Sequence, residues 1–241
     1  MISSKVKQNP ILSIKQLVYN DLRDQIISGA LMPGDRLPEV EIAESMSISR
    51  APVREAFNLL EKDGFIEILP RRGAIVSEIT IDKIFSIWEM RLVLEPYAAR
   101  VSIPFITEAE LDDAETMLKD VMAHPDDINK HYESERLLHS LLTRHLENEY
   151  LKEEVLVLMS HSMRMKCFER YGTGTDALSE AANSELSNLE HMEIIQVMRG
   201  RDPGLVSDVV RRHVRNSTVR FMQLCGYEMT PQQKTVLDYF E

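Results

Sequence analysis

The sequence predicts a mainly α-helical protein, in which a winged helix-turn-helix comes first and an all-α antiparallel bundle of six or seven helices follows. Two observations carry this prediction. A helix-turn-helix pattern over residues 39–65 is followed at once by two short strand-like runs. From residue 81 to residue 224, apolar side chains then recur with helical spacing between short polar breaks. We therefore expect a first domain over residues 1–78 and a second over residues 79–241.

The elements of the first domain follow from apolar periodicity and from residues that favour helix ends. Ser49 is a good N-cap for the third helix, Pro52 suits its first turn, and Gly64 supplies a left-handed stop. Ser47 and Ile48 make the tight turn before this helix. In chain order, the predicted elements are helices over Lys15–Ser28, over Glu39–Met46 and from Ser49 to Gly64, then strands over Phe65–Leu69 and Ala74–Val76.

Basic side chains stand where a winged helix-turn-helix meets DNA. The open end of the third helix carries a hydroxyl and two guanidinium groups, which suit phosphates and guanine edges. The turn between the strands is also basic, and it would offer its arginines to the backbone or the minor groove. Double-stranded DNA is therefore the expected partner. The predicted DNA-contacting residues are Arg36, Ser49, Arg50, Arg54, Arg71, Arg72 and Gly73.

The net charge of −11 argues at first against nucleic acid, but its distribution removes the conflict. Residues 1–77 hold ten basic and ten acidic side chains, whereas residues 78–241 hold eighteen and twenty-nine. The first domain is therefore neutral overall and must concentrate positive charge on one face. We expect modest DNA affinity per monomer, with a steep salt dependence.

The run from Pro33 to Val76 resembles the DNA-binding domain of the GntR family of bacterial transcription regulators. The chain departs from the family pattern at Ser47, where Gly is common, and at Ala51, where Thr is common. The resemblance implies that Arg50 and Arg54 read base edges or clamp phosphates, and that the wing reaches the minor groove. The matching positions are Pro33-Gly34, Leu37, Ala43, Ser49-Arg50, Pro52-Val53-Arg54-Glu55-Ala56, Leu60, Gly64 and Gly73.

Ionisable side chains lie on the core-facing stripes of three different helices in the second domain. Glu135 and His139 are four residues apart and so share one helix face, while His191 and His213 lie on two later helices. A buried carboxylate and buried imidazoles need partners, and a single metal ion would satisfy all four. The alternative is that each histidine is separately satisfied in the core or at a helix interface.

Residues 83–225 resemble the FadR-type C-terminal ligand domain, or FCD domain, of one large GntR subfamily. Many members hold a divalent cation, often zinc or nickel, with a carboxylate and three histidines, and others have lost the metal. The resemblance therefore implies the metal ligands Glu135, His139, His191 and His213, with Glu135 standing where the family usually has Asp. The matching segments are residues 88–95 with Ala98-Ala99, Glu135-x3-His139 with Asn148, and Glu190-His191 with Gly200-Arg201-Asp202 and His213.

Such a metal site leaves coordination positions that a small organic acid would fill with its carboxylate. Arg91 lies one helical turn before Glu95 and is a candidate second anchor for that effector. The alternative for Arg91 is an ion pair within its helix, with Glu95 or Glu89. The remaining histidines, which show no comparable grouping and are expected at the surface or an interface, are His124, His131, His145 and His161.

These features favour a homodimeric, effector-controlled transcription regulator, acting as a repressor on a palindromic operator. A metal-dependent enzyme with an appended DNA-binding domain is the alternative. The sequence lacks a nucleophile elbow, a P-loop, a dinucleotide fingerprint and an HExxH motif. An architectural DNA binder is a third possibility, which the acidic second domain disfavours. No signal peptide or membrane-length apolar run is visible, so we expect a cytoplasmic protein with Cys167 and Cys225 reduced.

Overall fold

The computed structural model describes residues 13–70, 72–125, 127–172 and 177–240. Arg71 of the predicted DNA-contacting set lies outside these residues, as do the side chains of His131 and Cys167. The sequence also predicts a flexible loop over residues 171–175, most of which lies outside the described residues. The chain separates into two compact units, which meet in sequence at Thr80 and Ile81.

Over its described residues, the first unit is a winged helix-turn-helix with three helices. Its elements are α1 (Ile14–Ile27), β1 (Arg36–Leu37), α2 (Glu39–Ser45), α3 (Arg50–Lys62), β2 (Ile66–Leu69) and β3 (Gly73–Val76). Ser13 caps α1 through a hydrogen bond from the Gln16 N–H to its hydroxyl, and α1 and α3 each bury one apolar face. The apolar faces are held together by fully buried Val18, Val53, Leu60 and Phe65.

The wing has three strands rather than the two predicted from the sequence. β3 is the central strand and pairs antiparallel with both β1 and β2, so that Arg36 lies opposite Ile75 and Leu69 opposite Gly73. A two-residue strand has no alternating pattern, which is why the sequence did not reveal β1. The third strand ties Arg36, one of the predicted DNA-contacting residues, to the wing.

The turn of the helix-turn-helix contains a left-handed residue. Ser47 has φ of +55°, a conformation that L side chains rarely adopt and that Gly adopts without penalty. This explains why Gly is common at the position in the family, and why a serine there carries some strain. In the preceding helix α2, Ala43 is buried and Val40 is exposed.

The second unit is all helical over its described residues. Its helices are α4 (Ile81–Ser102), α5 (Glu108–Ala123), α6 (Ile128–Thr143), α7 (Glu149–Gly172), α8 (Ala177–Arg199), α9 (Pro203–Leu224) and α10 (Pro231–Tyr239). The spacing of Thr107 and Glu110 in the sequence predicts a capping box, which is present at the start of α5. Helix α10, also opened by a capping box, was not predicted because only Leu237 of its residues is buried.

A proline within a helical pattern predicts an interruption or a kink, and Pro96 lies inside α4 without ending it. The core of this unit joins apolar faces from α4 to α9, with Ile103, Leu111, Leu141, Val155, Met198 and Val206 among its most buried members. The stripes predicted for α6, α8 and α9 face this interior, because Leu138, Ile195 and Val210 are all buried. Their histidines are consequently carried inward with them.

Candidate DNA interface and candidate metal centre

Helix α3 buries one face and leaves two arginines exposed on the other. Val53, Ala56 and Leu60 are completely buried, whereas the side chains of Arg50 and Arg54 are 59% and 63% exposed. Ser49 occupies the predicted N-cap position, but its side chain accepts no capping hydrogen bond. Its exposed hydroxyl is therefore left for a partner outside the helix.

Both arginines are held by one carboxylate that the sequence analysis did not single out. Glu39, at the start of α2, accepts a 2.9 Å hydrogen bond from Arg50 Nε and a two-point contact from Arg54, through Nη2 at 3.0 Å and Nε at 3.2 Å. Burial opposes ionisation of Glu39, but the hydrogen bonds and charges of Arg54 and Arg50 outweigh it and lower the pKa of its carboxyl. The carboxylate therefore stays charged at neutral pH.

The tip of the wing depends on Gly73. Its φ is +84°, and a Cβ at this position would lie 2.8 Å from the backbone oxygen of Leu37 on β1. Only glycine permits this close approach between β3 and β1. The side chains of Arg72 and Arg36 are exposed. Arg36, Arg72 and Gly73 belong to the set of residues that the sequence predicts to contact DNA.

A buried cluster joins α6 and α8 in the second unit. Glu135, His139 and His191 each offer one ligand atom, and these atoms all lie within 4.8 Å of one another. His139 Nε2 is 3.2 Å from Glu135 Oε2, and His191 Nδ1 is 3.6 Å from Glu135 Oε1. One carboxylate and two imidazoles at this spacing are a donor set for a divalent transition metal.

His213 of α9, the fourth predicted ligand, borders this cluster. Its Nε2 is 3.2 Å from His191 Nε2, and its Nδ1 is 2.8 Å from Glu190 Oε2. Burial lowers the pKa of His213 below its usual value, against the opposing pull of Glu190. A neutral His213 that donates its Nδ1 proton to Glu190 presents the lone pair of Nε2 to His191.

His191 lies between a carboxylate oxygen of Glu135 and the ring of His213. Its Nδ1 faces a carboxylate oxygen of Glu135, and its Nε2 faces the lone pair of His213 Nε2. A neutral His191 carries one proton, which serves the 3.2 Å contact with His213 when it is on Nε2 and leaves the lone pair of Nδ1 on the side of Glu135. In addition, Nδ1 of His139 is buried without a hydrogen-bond partner in the described part of the chain. A divalent ion held between Glu135 and His191 would use the lone pair of His191 Nδ1.

A polar network lies behind His213. Glu190 accepts hydrogen bonds from Arg220 through Nη1 at 2.7 Å and Nη2 at 2.8 Å, and from Asn216 at 2.8 Å. Burial opposes ionisation of Glu190, but Arg220 and His213 outweigh it and lower the pKa of its carboxyl strongly. Glu190 therefore remains an anion that fixes the tautomer and the ring orientation of His213. Glu190 lies in a segment that matches the family, but this role depends on Arg220, thirty residues away, and local sequence does not reveal it.

Arg91 forms the ion pair within its helix that the sequence analysis held open as an alternative. Its guanidinium donates to both carboxylate oxygens of Glu95 and also to the Ser162 hydroxyl of α7. Arg91 and Glu95 are both buried, and the pKa of Glu95 is lowered because Arg91 and the nearby His139 and His213 outweigh its burial. The Arg91–Glu95 pair therefore interacts electrostatically with His139 of the buried cluster and with His213.

One sequence expectation about the other histidines is wrong. His161 was placed at the surface or an interface, but it is buried on the face of α7 that also buries Leu158 and Met165. These three residues lie three or four positions apart and so share one helix face. His124 is exposed and His145 is half-buried against Glu110, as expected. Arg164, one turn after His161, is also buried and was not singled out.

The two sites together define a class of protein: a DNA-binding transcription regulator with a helical ligand domain. The model of the "Bacterial regulatory proteins, gntR family" matches residues 14–76, and the FCD domain model matches residues 86–216, more than half of the chain. The chain therefore belongs to the GntR family and carries its FCD domain. The members found are transcription regulators and not enzymes.

Similar proteins agree with this assignment. The chain is 34% identical to the uncharacterized HTH-type transcriptional regulator YdhC of Bacillus subtilis, over 56% of this chain and 61% of that protein. It is 30% identical to the gluconate operon transcriptional repressor of the same organism, over 78% of this chain and 77% of that protein. The solved structure of E. coli McbR/YncC has the same fold, with a TM-score of 0.72 at 19% identity, over 88% of this chain and 99% of that one.

Among the described residues, no helix combines the length and the apolar character that crossing a membrane requires.

Proposed function

We propose that this regulator is a homodimeric repressor whose operator binding is controlled by a small carboxylate-bearing metabolite at a divalent metal ion. The observation that carries the proposal is the buried convergence of Glu135, His139 and His191 beside His213. Buried ionisable groups without a function are costly, so a cluster of four in a helical core favours a ligand.

Four side chains would hold the metal ion, for which zinc and nickel are the best candidates. They are Glu135, His139, His191 and His213. Glu135 is one methylene longer than the family's usual Asp and still brings an oxygen to within 3.2 Å of His139 Nε2. The ion supplies a positive charge to which an effector carboxylate binds. Glu190 keeps the Nε2 lone pair of His213 available for that ion.

The buried charges favour an anionic effector. In the described part of the helical unit, the buried arginine and carboxylate side chains are Arg91, Arg164, Glu95 and Glu135, and their formal charges cancel. A divalent ion adds two positive charges, so an anion that binds to it reduces the buried excess of positive charge. We assign Arg91 as the second anchor of this anion, because Glu95 and Ser162 hold its guanidinium rigidly in the interior.

Homodimer formation is supported by an apolar stripe on the exposed side of α4. Met90, Val93 and Tyr97 are 44%, 51% and 56% exposed and lie three and four residues apart, which places them on one helix face. A second copy of the chain would bury this stripe and place two recognition helices on an operator with two-fold symmetry. The salt-dependent, modest affinity expected of one near-neutral DNA-binding unit also favours a pair.

Repression is the proposed direction of control, because a relative of known role is named a transcriptional repressor. The effector would bias the equilibrium between arrangements of the dimer that differ in DNA affinity. Because its target is operator DNA, we place the regulator in the cytoplasm. The first test is elemental analysis of protein purified without chelator, where we expect stoichiometric zinc or nickel.

The second test uses His191→Ala together with a thermal-shift screen of sugar acids, dicarboxylates and fatty acids. The variant should lose bound metal and the shift caused by the active acid, while keeping DNA binding without effector. His124→Ala is the matched control, because His124 is exposed and pairs with the surface residues Asp120 and Lys130. Absence of metal from the wild type, or a full effector response in the His191 variant, would reject the metal-dependent site.

A further inference from the structure

The two recognition arginines converge on the single carboxylate of Glu39. The three residues come from two helices, since Glu39 opens α2 and the arginines lie one turn apart on α3. The Glu39 side chain is only 15% exposed, whereas those of Arg50 and Arg54 are 59% and 63% exposed. The Glu39 carboxylate is therefore mostly covered, while the two guanidinium groups that contact it remain open to solvent.

The contacts leave the outer edges of both guanidinium groups available. Arg50 gives only its Nε hydrogen to Glu39, so its two Nη groups make no hydrogen bond among the described residues. Arg54 uses Nε and Nη2 and keeps Nη1 for another partner. A guanidinium that is fixed at one edge and open at the other is ready for bidentate contact with O6 and N7 of guanine.

The same carboxylate also changes the charge that DNA meets. One negative charge beside two positive ones leaves a net charge of +1 on this group of three residues. Binding to DNA of arbitrary sequence depends on phosphate charge, so a nearby fixed carboxylate weakens that binding. Hydrogen bonds to base edges depend on orientation, which the carboxylate improves by restricting two flexible side chains before DNA binds.

We infer that Glu39 is a specificity-determining residue of the DNA interface, which orients Arg50 and Arg54 for base contact and suppresses their attraction to non-operator DNA. The inference needs only the DNA-binding activity of the protein and is independent of the metal and the effector. Glu39 acts through the two arginines, so its loss should change the ratio of operator to random affinity rather than abolish binding.

The experiment compares full-length wild type, Glu39→Gln and Glu39→Ala on two probes. One probe is a duplex that the wild type enriches from a random-sequence library, and the other is a random duplex of equal length. Glu39→Gln should raise affinity for the random duplex about threefold to tenfold and lower the operator-to-random ratio about tenfold. The slope of log affinity against log salt for random DNA should steepen by about one.

Glu41→Gln is the matched control. Glu41 lies on the same helix and is exposed, so its substitution removes the same charge without removing an arginine contact. Its operator-to-random ratio should stay within about twofold of the wild-type value. An unchanged ratio in both Glu39 variants would overturn the inference, and so would an equal change in the Glu41 variant. Thermal unfolding confirms that each variant is folded. Enrichment of one duplex from the random library by the wild type tests sequence-specific DNA binding itself, independently of the role of Glu39.

Discussion

Glu190 holds His213 by a hydrogen bond of 2.8 Å between its Oε2 and His213 Nδ1, and Arg220 in turn grips both oxygens of Glu190. This series of hydrogen bonds connects α8 and α9 and fixes the ring of His213, a proposed metal ligand. Because Arg220 Nε also donates to Asn183 at 2.8 Å, the position of Glu190 is determined from several sides. The histidine is thereby oriented before any ion binds.

Glu190→Gln should weaken metal binding about 10- to 100-fold without removing a ligand, because a neutral amide no longer fixes the His213 tautomer or raises its basicity. Competition with a fluorescent chelator measures the change in metal affinity. Glu193→Gln is the control, since Glu193 lies one turn further along α8, is half exposed, and pairs with Arg212 at the surface. Equal metal affinity in the Glu190 variant and wild type would contradict the role assigned to Glu190.

The sequence predicted those parts of the structure that local periodicity determines. The stripes of α6, α8 and α9 follow from spacing alone, so the burial of His139, His191 and His213 was predictable. In contrast, the hydrogen bonds between Arg54 and Glu39 join residues that are fifteen positions apart in sequence. Those between Arg220 and Glu190 join residues that are thirty positions apart. Such contacts depend on how two helices pack, which the periodicity of one helix does not contain.

Arg54→Ala should reduce operator affinity about 10- to 100-fold and leave the thermal unfolding of the protein nearly unchanged, because the side chain is exposed. Arg54→Lys separates charge from geometry, since lysine keeps the charge but loses the planar fork. It should retain affinity for random DNA and lose operator affinity almost as strongly as alanine. Binding titrations with labelled duplexes measure both. Equal operator affinity of the lysine variant and wild type would show that Arg54 contacts phosphate only.

The acid sensitivity of the helical unit should depend on Glu110 at the start of α5. Burial opposes ionisation of its carboxyl, but the Thr107 N–H, then Arg144, the Thr107 hydroxyl and His145 lower its pKa to about 2. A carboxyl with a lowered pKa in the folded state stabilises the protein above its unfolded pKa of about 4.3. This contribution is lost as the pH falls through that value towards 2.

Glu110→Gln isolates that contribution, because glutamine still offers an oxygen to the Thr107 N–H in the capping box. At pH 6 the variant should unfold with a free energy about 1–2 kcal/mol below that of wild type. Urea titrations between pH 3 and 6 should show this difference shrinking as the pH falls below about 4.5. Asp113→Asn, at an exposed position of the same helix, should show no such pH dependence. A constant difference across this range would exclude the ionisation of Glu110 as its cause.

Gly73→Ala should disrupt the wing more than a left-handed backbone alone would explain. Gly73 and Gly34 have almost the same φ, +84° and +87°, but a Cβ at Gly34 would have no atom within 4 Å. Gly34→Ala therefore carries only the backbone strain, of about 1 kcal/mol. Gly73→Ala adds a 2.8 Å approach to the backbone oxygen of Leu37, which cannot move away without breaking the pairing of β1 with β3.

The extra penalty should appear in two measurements on the full-length protein. Amide hydrogen exchange across β3 should accelerate in the Gly73 variant far more than in the Gly34 variant, because opening the strand relieves the collision. Operator affinity should fall with it, since Arg72 and Arg36 are carried by the wing and by the strand it pairs with. The two variants could instead show equal amide exchange rates across β3 and equal operator affinity. That result would mean that β1 shifts to accommodate the added methyl group, and that the wing does not require glycine at position 73.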